Sequence, residues 1–195
     1  MFGATARRSP TDKEKRLSNR EQFAPGPAGG AQVRKDGEKW TLILVRELRH
    51  SPAKVWRALT EPEHLREWAP FDADGTLDTV GSRVKLTWVG TPAPIETTVT
   101  RADAPSLLEF GDLRFELESL DGGTRLTLWH SIDRRFVAWG AAGWHICFEV
   151  LTQVLSGIAV ARIAGADAVK SETWQRLKDE YAKQFGVESH NAPKP

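Results

Sequence analysis

A single cysteine, Cys147, occurs in 195 residues, so no disulfide can close within the chain. Neither charge sign dominates. Lys and Arg total 27 against 26 Asp and Glu, a net charge of +1, which leaves no field to steer the chain onto nucleic acid or an acidic membrane. Long apolar runs are missing too. Nothing approaches the ~20 residues needed to span a bilayer, and the amino-terminal stretch lacks the apolar core of a secretory signal. The expectation is a cytoplasmic protein that binds no nucleic acid and inserts in no membrane. Phosphate-loop, dinucleotide, C-x-x-C, H-E-x-x-H and G-x-S-x-G patterns are all absent, which removes the signatures of the commonest nucleotide, zinc and serine-hydrolase sites. No metal or other cofactor is expected.

Residues 1–36 hold Arg7-Arg8, Lys13-Glu-Lys-Arg16 and Pro25-Gly-Pro-Ala-Gly-Gly30 with almost no large apolar side chains. Such a segment cannot bury enough surface to offset its ordering entropy and is expected to be a disordered tail. Residues 188–195 read the same way. Between them, residues 37–187 form the expected domain, long enough to bury about two thirds of its unfolded surface.

That domain opens with Thr41, Ile43 and Val45 alternating with Leu42, Leu44 and Arg46, an apolar β-branched strand. Ser51 then supplies a helix N-cap with Pro52 at the first helical position. Thr60 and Glu63 have the spacing of a capping box for a second short helix carrying Leu65 and Trp68. Antiparallel strands follow: a short edge strand between Gly75 and Gly81, then one in which Val84, Leu86 and Trp88 share a face. Further strands are placed at about 95–103, 106–110, 113–120 and 124–132, with turns at Ala104-Pro105, Gly111-Asp112 and Asp121-Gly-Gly123. A long helix over about 141–156 buries the stripe Trp144, Cys147, Phe148, Leu151 and Leu155. A last helix over about 171–185, stopped by Gly186, carries Trp174, Leu177 and Tyr181.

Strand, two small helices, six antiparallel strands and a long carboxy-terminal helix resemble the helix-grip fold of the START-like superfamily. Ala53-Lys-Val-Trp-Arg-Ala-Leu-Thr-Glu-Pro-Glu-His-Leu-Arg-Glu-Trp68 is similar to the opening of its bacterial branch related to the C-terminal domain of the activator of the heat-shock-protein-ninety ATPase. Gly123-Thr-Arg-Leu-Thr-Leu-Trp-His130 and Gly143-Trp-His145 are similar to later signatures of that branch. The resemblance implies an α+β domain in which a seven-stranded antiparallel sheet wraps the long helix, with two short helices between strands 1 and 2. It also implies an apolar cavity for a small hydrophobic or amphipathic molecule. The lining expected from strand parity and helix face is Trp68, Phe71, Leu86, Trp88, Phe110, Phe115, Leu128, His130, Trp144, Phe148 and Leu151.

His130 shares strand parity with Leu126 and Leu128, so it should face the concave side as a polar group able to orient a ligand or exchange a proton. Two other functions stand beside ligand carriage. One is a chaperone-linked interaction module. The other is a cyclase- or hydrolase-like enzyme with His130 as acid or base and Glu96 or Glu109 as partner. The helical wheel sets His145 and Glu149 away from the buried stripe, as a surface i,i+4 pair rather than metal ligands. Cys147 should be an inert buried thiol. Trp129, on the outer sheet face, and the loop 160–169 would supply apolar surface for a homodimer.

Overall fold

A computed structural model describes residues 11–189. Helix α1 (Asp12–Glu21) precedes strands β1 (Ala31–Asp36) and β2 (Lys39–Leu48), helices α2 (Pro52–Thr60) and α3 (Pro62–Trp68), and strands β3 (Phe71–Ala73), β4 (Arg83–Trp88), β5 (Ile95–Asp103), β6 (Leu107–Phe110), β7 (Leu113–Leu120) and β8 (Gly123–Ser131). A 3₁₀ turn leads into the long helix α4 (Val137–Leu155), followed by α5 (Gly165–Val169) and α6 (Glu172–Phe185). The eight strands form one antiparallel sheet in the order β1-β2-β8-β7-β6-β5-β4-β3.

The turn chemistry works as its residues demand. Gly111 and Gly122 sit at φ +53° and +77°, a region closed to most side chains, and each makes a two-residue hairpin loop that sets the register Phe110↔Leu113 and Leu120↔Gly123. Ser51 caps α2 by accepting from the Lys54 N–H, with Pro52 at the helix start. Parity holds along the sheet: Leu42, Leu44, Leu113, Phe115, Leu126 and Leu128 are all buried on the concave face, against which α4 lies.

Several expectations are corrected. The sheet has eight strands, because Ala31–Asp36 pairs with β2 from Ala31↔Leu44 to Asp36↔Lys39. Residues 12–21 are helical, with Thr11 and Glu14 forming a capping box. The segment expected to be a tail therefore carries two elements, while Arg7-Arg8 and residues 190–195 lie outside the described residues. The capping box at Thr60 and Glu63 does not form. Helix α2 continues through Thr60, whose hydroxyl donates to Trp56 O, and Glu61 becomes the N-cap of α3 without a side-chain bond. The edge strand is Phe71–Ala73, not the segment between Gly75 and Gly81, where Leu77 is pinned as a loop residue by its N–H bond to Thr60 O and its complete burial.

Helix α4 begins four residues before the expected start. Gly140 reads as a breaker in sequence, yet a Cβ there would meet Ile132 at 2.8 Å, so the glycine is the close-approach point of helix and sheet. Helix α6 covers the opposite side of α4, which explains why α4 is buried nearly all round. His145 is consequently 2 % exposed rather than on the surface. The loop 160–169 is likewise internal at Val160, Ile163 and Ala168, so it does not offer the apolar dimer surface expected of it. Among the described residues no helix is long and apolar enough to cross a membrane.

Candidate functional site

Every member of the expected lining comes to the space between sheet and α4, supplied by α3, β3, β4, β6, β7, β8 and α4 itself. Nine of the eleven are at most 5 % exposed; Trp88 and His130 are half-buried. Their rings touch in an unbroken path. Trp88 meets Phe71 edge-on at 5.3 Å, Phe71 meets Phe110 at 5.9 Å, and Phe110 stacks on Phe115 at 6.1 Å. Phe115 then contacts Trp144 at 6.0 Å, and Trp144 contacts both Phe148 and His130. Trp68 closes the far end on Phe148, with its indole N–H bonded to Ala58 O at 2.9 Å. The side chains thus fill the interior with their own rings. Offset and edge-on pairs of this kind each contribute about 0.5–1.5 kcal/mol beyond area burial.

His130 brings the one titratable group into this path. Its Nδ1 accepts from Trp144 Nε1–H at 3.1 Å, which requires a neutral ring with the proton on Nε2. Burial pushes its pKa down to about 4, and the Asp112 carboxylate pulls only weakly the other way. With Nδ1 taken by Trp144, the group left for a ligand is the Nε2–H, a donor at the rim of an apolar interior that can fix the orientation of a carbonyl or hydroxyl oxygen. As an acid near neutral pH it is poorly poised, because the protonated form is scarce.

The carboxylates considered as its partners are elsewhere. Glu109 is opposite Arg114, which is opposite Trp129; that row faces outward, whereas His130 pairs with Leu113 and Leu42 on the inner face. Glu96 is exposed and pairs with Arg83. The acid/base pairs of the enzyme reading are not assembled.

Replacing Trp144 with phenylalanine keeps the ring but leaves His130 Nδ1 without its donor. The expected cost is about 1–2 kcal/mol in urea unfolding, and His130→Phe in the same background should recover part of it.

Three features were not found from sequence. Arg162, beyond α4, makes a forked ion pair with Asp72 of β3, 2.7 Å at its shorter contact, tying the loop after α4 to the edge strand beside Phe71. His145 bonds through Nδ1 to the Tyr181 hydroxyl at 2.8 Å, and that hydroxyl donates to Gly29 O at 3.0 Å. Its Nε2 is buried without a partner, 3.8 Å from Glu149. Burial and the nearby Arg46 push this pKa down to about 4 as well. Finally, the outer sheet face carries a pocket around Trp129 and Arg114. Each joins segments distant in sequence, with no local signal to reveal it. Cys147 is buried and its thiol pKa is pushed up to about 12, as an inert core thiol requires. Among the described residues no three His, Cys, Asp or Glu side chains gather as a metal site.

Comparison with known proteins follows the same lines. The family described as activator of Hsp90 ATPase homolog 1-like protein matches residues 49–156. Curated proteins provide no significant match. Among solved structures, the solution structure of CalU16 from Micromonospora echinospora superposes with a TM-score of 0.60 at 18% identity, over 84% of this chain and 96% of that one. A conserved protein of unknown function from Enterococcus faecalis gives 0.59 at 20% identity, over 81% and 92%. A protein from Mesorhizobium loti gives 0.54 at 24% identity, over 60% and 97%. At these identities the likeness is one of fold.

Proposed function

The chain belongs to the activator of Hsp90 ATPase homolog 1-like family, and from that premise we propose that its helix-grip domain binds a small hydrophobic or amphipathic molecule between α4 and the sheet. The observation that carries this reading is the unbroken ring path from Trp88 to Trp68, with a neutral His130 beside it whose Nε2–H is the donor left for a ligand. Binding sites for apolar molecules are lined in this way, with few polar groups and much aromatic surface. A ligand enters at Trp88, the half-buried end of the path, and takes over ring contacts that the empty protein makes with itself. Apolar burial of about 25 cal/mol per Å² supplies the affinity, and His130 sets the orientation.

Native mass spectrometry on gently purified protein tests the proposal. A co-purifying small molecule is the expected result, with hydrophobic compounds raising the melting temperature and Trp88→Ala weakening that shift. A clean apo mass, together with no thermal shift from any hydrophobic compound, would sink it.

The filled interior favours one alternative, a chaperone-linked interaction module whose working part is its surface. Addition of the purified chain to the chaperone would then raise ATP turnover, and unchanged turnover would reject this second reading.

A further inference from the structure

The outer face of the sheet, on the side away from α4, holds a pocket of about 530 Å³ that the ligand reading does not use. Its floor is Trp129, aligned across the strands with Arg114 and, beyond it, Glu109. The Arg34 guanidinium of β1 lies 5.2 Å above the Trp129 ring. Arg114 is gripped by two carboxylates, Glu109 at 3.2 Å and Glu116 through the other nitrogen. Opposite them, the Gly111-Asp112 turn and the irregularity of β5 between Val99 and Arg101, which sets Thr100 against the pocket, close the rim.

Two N–H donors in this pocket are buried and unpartnered, Arg114 Nε and Trp129 Nε1. A donor removed from solvent without an acceptor is costly, about 1–3 kcal/mol, so both invite an acceptor from outside the chain. Neither Arg34 nor Asp112 makes an ion pair among the described residues. A carboxylate seated beside Arg34, with the Arg34 and Arg114 side chains shifted enough to uncover the two N–H groups, would satisfy all three. The lining, however, has three carboxylates against two guanidiniums, so a simple anion would enter a site already negative. A ligand with its own cation removes that conflict, its ammonium facing Asp112, while Glu109 and Glu116 stay on Arg114.

We propose that the Trp129 pocket is a second binding site, one for small zwitterionic molecules of the amino-acid or short-peptide kind, held by their carboxylate on Arg34, Trp129 Nε1 and Arg114 Nε.

The test follows isotope-labelled indole N–H resonances of the full chain, with Trp129 identified as the signal lost in Trp129→Phe. Titration with glycylglycine at constant ionic strength should move that signal saturably. Glycylglycine amide, which lacks the carboxylate, and N-acetylglycylglycine, which lacks the ammonium, should each bind at least about tenfold more weakly. Arg34→Gln, on an exposed edge-strand position, should weaken glycylglycine to a similar degree with an unchanged melting temperature. A Trp129 signal that stays still, equal affinity for either blocked dipeptide, or an Arg34→Gln chain that binds as before would overturn the proposal.

Discussion

A chain shortened to begin at residue 37 should lose at least about 4 kcal/mol of stability and aggregate, even though β2 and all later elements are intact. Six residues of β1 pair with β2, and the link before β1 is fastened to α6. The Ala28 N–H donates to Glu180 at 2.7 Å, the Tyr181 hydroxyl donates to Gly29 O at 3.0 Å, and Gln184 donates to Ala31 O at 2.6 Å. Arg46 reaches Gly29 O at 3.0 Å from β2. Removing the segment strips partners from these four groups at about 1 kcal/mol each. It also exposes the whole edge of β2, a long strand with no charged break between Trp40 and Val45, which is the kind of edge that templates association. Urea unfolding and light scattering measure the two effects. A chain shortened only to begin at residue 24 is the control. Helix α1 has no buried residue, and its ion pairs to Glu67 and Asp167 are surface ones of small worth. What this control gives up is the Asn19 amide's bond to Ala159 O, the Ala161 N–H bond to Arg16 O and the packing of Phe23. It should therefore lose about 1–2 kcal/mol, less than the chain without β1. Equal midpoints for all three chains would show that β1 contributes nothing.

Lowering the pH from 7 towards 4 should destabilise the fold through two imidazoles. His130 and His145 have folded pKa values of about 4 against an ordinary 6.5. At neutral pH both are uncharged in the folded and unfolded states alike, and nothing is lost. Below 6.5 the unfolded chain takes up protons that the folded chain refuses, so stability falls with each step of pH. The fall from these groups levels off near 4, where the folded imidazoles also protonate. Each costs on the order of 3 kcal/mol by that point. The structural reasons differ. Protonating His130 destroys the acceptor for Trp144, whereas protonating His145 puts a cation near Arg46 and Arg176 under α6. Unfolding free energies measured across this range for the wild type and for His145→Gln should differ in slope by about one proton. Identical slopes would mean that His145 titrates normally. The thiol acts at the other extreme. Cys147 resists ionisation up to about 12 when folded, against a usual 9.0, so stability is fully present below 9 and declines as pH rises through that interval.

Parity made most of the sheet legible, since Leu86, Phe115 and Leu128 could be assigned to the concave face from alternation alone. The hairpins were legible because Gly111 and Gly122 meet a backbone requirement that few other residues meet. Strand β1 was not. Ala31-Gln-Val-Arg-Lys-Asp36 has two apolar residues and follows a Pro- and Gly-rich stretch; its pairing is supplied by the edge of β2 rather than by its own hydrophobicity. His145 was misplaced because a helical wheel assumes one buried face, and α6 gives α4 a second. Thr60 failed as a cap for a local reason, its hydroxyl being engaged by the preceding turn. The lining of the site was readable as a set, because each ring follows from its own strand or helix phase. Whether opposing rings leave space or meet depends on how closely two elements approach, and that is set by contacts such as Gly140 on Ile132, which no single segment encodes.

The double coverage of α4 also decides which part of the molecule can move. A helix held by the sheet in front and by Tyr181 and Trp174 behind is the fixed body, so parting the interior falls to the other side, where β3 and β4 form the short free margin of the sheet. Two devices restrain that margin: the Arg162–Asp72 clasp, and the seat of Gly165, whose φ of +61° and lack of Cβ let it rest on Val89 O. Of the two walls of the interior, the helix is held on both sides, whereas the margin formed by β3 and β4 depends on these two contacts.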